Sequence, residues 1–165
     1  MLTRNRPLHP APKRPAAREA APGGGRFQNR ARWCLNWPVL RLLLVGLAGL
    51  AGTLCRYWLS GALARRYGEA FPAGTLAVNL LGCFAAGLLF HLMHERAAFS
   101  ETARAVVFVG LLGGFTTFSS YGLQTFELLR DGRAGVAALN VVASNLLGVL
   151  AVFAGYASAK LLGGA

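Results

Sequence analysis

Acidic residues are scarce in this chain: six Asp plus Glu stand against 17 Lys plus Arg in 165 residues. Five of the six, Glu69, Glu95, Glu101, Glu127 and Asp131, lie in polar connectors or at the ends of apolar stretches, and no Asp, Glu or Lys falls inside one. Proton-coupled pumps and transporters need a titratable group at membrane depth, so an exchanger of the small four-helix multidrug type lacks its main requirement. Cysteine is equally sparse. Cys34, Cys55 and Cys83 form no CxxC pair and have no histidine beside them, which excludes a disulfide framework and a zinc site. His91 and His94 stand three apart but have no third ligand nearby, and they read as an interfacial pair. Charge as a whole is low, at 14% of residues, against about one quarter in an ordinary soluble domain. With 55% apolar residues and a mean hydropathy of +0.45, a soluble enzyme is excluded.

What the chain does have is long apolar runs. Four are long enough, at 1.5 Å per residue, to cross a hydrocarbon layer of about 30 Å. They run from about Val39 to Ala64, Phe71 to Met93, Ala105 to Phe126 and Ala134 to Ala159, and the short connectors leave no room for a soluble domain. The predicted fold is an all-α membrane protein with a four-helix membrane domain at residues 39–162, multi-pass in the cell (inner) membrane.

Residues 1–38 read differently. Met1 to Arg32 hold eight basic residues and one acid, and so carry +7 of the formal +11. Pro7, Pro10, Pro12, Pro15, Pro22 and the Gly23–Gly25 run give a composition too poor in apolar surface to fold, and the tail is expected to be disordered. A basic nucleic-acid footprint should line a folded face, so no nucleic-acid partner is expected. A signal peptide does not fit, because the first apolar stretch is the first span itself. The prolines oppose an amphipathic organellar leader, and a misassigned start codon is a third account of the tail. Outside the tail the connector charges balance: Arg41, Arg96, Arg104 and Lys160 fall on one side, Arg65, Arg66, Arg130 and Arg133 on the other. The core is therefore expected to insert both ways round, with the tail biasing its own side toward the cytoplasm.

Polar residues inside the spans mark where chemistry can occur. The first span carries Gly46, Gly49 and Gly52 followed by Arg56 and Tyr57. Such small residues serve close helix packing, while Arg56 either snorkels to the interface or faces a water-filled vestibule and attracts anions. The second span places Thr75, Asn79, Gly82 and Ala86 on one face. Asn79 serves either as an interhelical hydrogen-bonding group or as an amide donor to a small anion. The third span holds Gly113-Gly114-Phe115-Thr116-Thr117-Phe118-Ser119-Ser120-Tyr121-Gly122, a poor uninterrupted helix. A helix break at this depth is tolerated where it is buried or lines a cavity, and its freed carbonyls commonly coordinate a cation. The fourth span adds Asn140, Ser144 and Gly148 at spacings of four. Hydroxyls in spans also simply bond back to the preceding turn, and an aromatic pair three apart, as at Phe118 and Tyr121, also serves packing or lipid contact.

These residues together resemble the Fluc/CrcB fluoride channels. The likeness rests on Gly46/Gly49/Gly52 to Arg56-Tyr57, on Gly74-Thr75 with Asn79 and Gly82, and on the third-span run from Gly113 to Tyr121, and it covers about Val39 to Leu162. The resemblance implies an antiparallel, dual-topology homodimer with a break in the third helix and two fluoride pores. It implies one central structural Na+ held by backbone carbonyls, which map to Gly113 and Thr116. The pore asparagine maps to Asn79 with Thr75 one turn away, the pore phenylalanines to Phe118 and Tyr121, the hydroxyl track to Ser119, Ser120 and Ser144, and the first-span vestibule arginine to Arg56. Tyr121, Asn140 and Gln124 depart from the phenylalanine, tyrosine and glutamate usual in the family.

The physical chemistry agrees with that expectation. Fluoride is small and strongly hydrated, so a pore must replace its water with closely placed, modest donors without trapping it on a fixed charge. Amides, hydroxyls and the electropositive edges of aromatic rings do so. A negative-inside potential then drives export passively, by about 2.3 kcal/mol per charge per 100 mV, and no catalytic residue is required. Against this reading stand a proton-coupled transporter, disfavoured by the missing intramembrane carboxylate, and an assembly subunit without a pathway, disfavoured by polar faces on three spans.

Overall fold

The computed structural model describes residues 24–68, 70–95 and 99–163, and of residues 24–37, 94, 95 and 163 it describes the backbone alone. Residues 1–23, the greater part of the tail expected to be disordered, therefore lie outside the described residues. So do Glu69 and Arg96, together with the side chains of Cys34, His94 and Glu95. Internal contacts divide the chain into Met1–Leu35 and Asn36–Ala165, and the second unit holds all four spans.

The described elements are α1 (Gly24–Tyr67), α2 (Ala73–Phe90) continued by a π-helical turn at His91–Glu95, α3 (Glu101–Ala105), a π-helical stretch at Val106–Leu112, α4 (Gly113–Phe115), α5 (Phe118–Arg130) and α6 (Ala134–Gly163). Residues 24–38 are helical, where composition predicts disorder through residue 38. The prolines behind that prediction, Pro7 to Pro22, all precede Gly23. From Arg26 to Trp37 the chain has no proline and several good helix formers.

Four helical segments are long and apolar enough to cross a membrane: Pro38–Tyr67, Ala73–Met93, Glu101–Arg130 and Ala134–Leu162. They overlap the four apolar runs and extend the first, third and fourth by a turn or so, because hydropathy ends where charge begins while helical hydrogen bonding does not. Between 6% and 22% of each span's most apolar window is buried within the chain, so most of the helical surface must meet lipid or protein.

Where helices do touch, glycine sets the distance. A methyl group at Gly87 would collide with the Val152 carbonyl, and one at Gly155 with the Phe84 carbonyl, so α2 and α6 approach backbone to backbone. The first span meets the third the same way. A methyl at Gly52 would lie 2.8 Å from the Phe115 nitrogen, and one at Gly114 would strike the Gly49 carbonyl. Gly46 differs from its two companions, having nothing within 4 Å. The predicted packing role therefore belongs to Gly49 and Gly52 within this chain.

The α5–α6 turn closes by hydrogen bonding of Gly132 N–H to the Leu129 carbonyl (3.1 Å) and of Arg133 N–H to the Leu128 carbonyl (2.8 Å). Gly132 has φ +75°, a conformation that glycine adopts without a Cβ penalty. This turn sets Arg130, Asp131 and Arg133 on the wall of a cavity shared by α1, α2 and α5.

Candidate functional site

The helical path of the third span is interrupted at two residues. Thr116 (φ −82°, ψ 159°) and Thr117 (φ −150°, ψ 114°) are extended, and α5 starts at Phe118. Thr117 is the N-cap of α5: its hydroxyl accepts from Ser120 N–H at 3.2 Å and lies 3.0 Å from the Ser120 hydroxyl and 3.3 Å from that of Ser119. The Thr116 hydroxyl donates to the Leu112 carbonyl at 3.0 Å, and its methyl occupies the space that a side chain at Gly82 would fill.

Asn79 reaches this interruption from α2 and binds Thr117 twice. Its Nδ2 donates to the Thr117 carbonyl at 3.0 Å, and its Oδ1 accepts from Thr117 N–H at 2.8 Å. One side-chain amide thus satisfies a backbone donor and acceptor where the helix cannot. Of the two Nδ2 hydrogens, one remains for another acceptor.

The diversion has a consequence for two carbonyls. In a continuous helix Gly113 O would accept from Thr117 N–H and Thr116 O from Ser120 N–H. Thr117 N–H is instead held by Asn79, and Ser120 N–H by the Thr117 hydroxyl. The oxygens of Gly113 and Thr116 are left without those helical donors.

Thr75 and Ser120 line the cavity, of about 620 Å³, with Ser60, Gln124, Glu127 and Arg133 also on its wall. Thr75 is buried, and Gln124 Oε1 is buried with no hydrogen-bond partner. Arg133 donates to the Ala70 carbonyl, tying the connector before α2 to that before α6. Asn140 is buried and donates to Thr125 Oγ1 at 2.9 Å, so this departure from the family pattern is hydrogen-bonded inside the bundle.

The structure therefore brings Asn79, Ser119 and Ser120 together at Thr117, and Thr75 and Ser120 to one cavity wall. Phe118 and Tyr121 pair with each other, ring centroids 5.3 Å apart. Phe118 is 82% exposed and points away from the chain's own interior. Ser144 on α6 and Arg56 on α1 are half-buried and lie outside the cavity wall. Arg56 is one turn from Ser60, whose hydroxyl donates to its carbonyl at 2.8 Å. His91 packs edge-on against Tyr156, centroids 5.3 Å apart. No group of three or more potential metal-ligating side chains occurs among the described residues.

Sequence reasoning does not single out Thr117 as the anchor of Asn79. The available signal is a threonine three residues before Ser120 at a helix start, an N-cap spacing.

Comparison with known proteins places these features in a family. The CrcB-like protein family (Camphor Resistance, CrcB) matches residues 43–156. A relative from Magnetococcus marinus, named fluoride-specific ion channel FluC, is 44% identical over 123 residues, covering 74% of this chain and 100% of the relative. A protein of the same name from Opitutus terrae is 47% identical over 119 residues, covering 71% of this chain and 90% of the relative. The family match reaches into all four spans and takes in the positions of Asn79 and Thr117, and this chain belongs to the CrcB family.

Proposed function

We propose that this chain is a fluoride-selective channel of the cell membrane that lets the ion leave the cytoplasm passively. The observation that carries this reading is the likeness to relatives named fluoride-specific ion channels, over a site made of neutral donors. Thr75, Asn79, Ser119 and Ser120 offer hydroxyl and amide hydrogens and no fixed charge, which suits a small, strongly hydrated anion that must also leave. A chemical step is not needed, and the protein is not an enzyme.

The finer reading is a homodimer of antiparallel chains. It is supported by the exposure of Phe118 and of most of the span surface, and by the balanced connector charges. In that assembly the Phe118 and Tyr121 ring edges and Ser144 complete the pathway begun at Thr75, and Arg56 draws anions to its entrance. The two freed carbonyls, Gly113 and Thr116, suit a structural Na+: they are hard oxygen donors in a dry setting whose usual hydrogen-bond donors have gone elsewhere. The ion would supply positive charge at the centre, and Asn79 and the Thr117 hydroxyl keep those carbonyls free for it.

The test is protection of cells. Expression in bacteria lacking fluoride export should restore growth in millimolar fluoride, and inserted protein that gives no protection would overturn the proposal.

A further inference from the structure

A second cavity, of about 480 Å³, lies at the other end of the spans from the first and is walled by Arg41, Phe90, Glu101, Arg104, Phe108 and Val109. Arg41 is three residues into the first span and Arg104 three into the third, a rise of about 4.5 Å from each span start. Both guanidinium groups therefore sit at headgroup depth. Both side chains are half-buried, and neither guanidinium makes a hydrogen bond or ion pair among the described residues. Glu101 is exposed at the rim and leaves the cavity one positive charge in excess. Beyond the arginines the wall is apolar, with Val109 67% and Phe90 46% exposed.

We propose that this cavity binds one anionic phospholipid, its phosphate between Arg41 and Arg104 and its acyl chains along Phe90, Phe108 and Val109. Guanidinium groups form paired hydrogen bonds to phosphate oxygens, and basic pockets between membrane helices hold anionic headgroups. A soluble phosphate would use the arginines alone and leave the apolar wall unoccupied. The inference rests on the membrane setting and does not depend on which ion the protein conducts.

The full-length protein, purified in detergent and exposed to mixed vesicles of phosphatidylglycerol and phosphatidylcholine, is assayed by native mass spectrometry for retained lipid. Phosphatidylglycerol should be retained preferentially, Arg41→Gln and Arg104→Gln should each lower retention about fivefold, and Arg65→Gln at the opposite end should not. The two single variants are read separately, so failure of one to fold leaves the other. Fluoride flux should persist in both, which separates this site from the conduction reading. Equal retention of the two lipids, unchanged retention in both arginine variants, or displacement by millimolar inorganic phosphate would overturn the proposal.

Discussion

Asn79 and Thr117, 38 residues apart in the chain, are joined by two hydrogen bonds, one from Nδ2 to the Thr117 carbonyl at 3.0 Å and one from Thr117 N–H to Oδ1 at 2.8 Å. This clasp supports the interrupted third span and leaves one amide hydrogen of Asn79 over, which the proposed pathway uses to hold the anion. Asn79→Ala should remove both functions. The orphaned backbone groups should cost about 1–3 kcal/mol, seen as a lower melting temperature in detergent, and fluoride flux should be lost. Unchanged melting would show the clasp to be dispensable.

The close contacts of the first and third spans give a stability test. Gly114→Ala should prevent normal packing because its methyl would meet the Gly49 backbone, whereas Gly46→Ala should be mild. Size-exclusion profiles and thermal melts of the two variants distinguish these outcomes, and equal effects would contradict the packing account.

Phe118 separates pathway from packing. Because it is 82% exposed within the chain, Phe118→Ile should leave the fold intact, yet it removes the electropositive ring edge and should stop fluoride flux. Tyr121→Phe keeps the edge and should retain flux, at an altered rate because the phenol no longer accepts from Asn145 Nδ2, 3.4 Å away. Undiminished flux through Phe118→Ile would assign the ring to packing.

The sodium reading concerns backbone oxygens, so side-chain variants at the site should be mild and ion replacement severe. Thr116→Ser keeps the hydroxyl that bonds to Leu112 and should conserve flux. Replacing Na+ throughout by a bulky organic cation should weaken assembly or flux, and no change in either would remove the assignment of Gly113 and Thr116.

Much of the fold was legible because a membrane crossing must be both apolar and long, and hydropathy measures both. The span ends were less so: charged residues such as Glu101 and Arg130 continue a helix that an apolar scan has already ended. Helix in residues 24–38 was hidden behind the prolines of the preceding segment. The third-span sequence pointed to an interruption through its glycines and hydroxyls, but not to the partner of Asn79, because tertiary pairing leaves no periodicity. Likewise the spacing of Gly46, Gly49 and Gly52 suggested one packing surface, while only the second and third meet a neighbouring backbone.

Selective conduction is decided by fluoride efflux from proteoliposomes, with chloride measured in parallel under the same potential. Fluoride should leave rapidly, and chloride no faster than from protein-free vesicles. Equal movement of both ions, or of neither with correctly folded protein in the membrane, would contradict it.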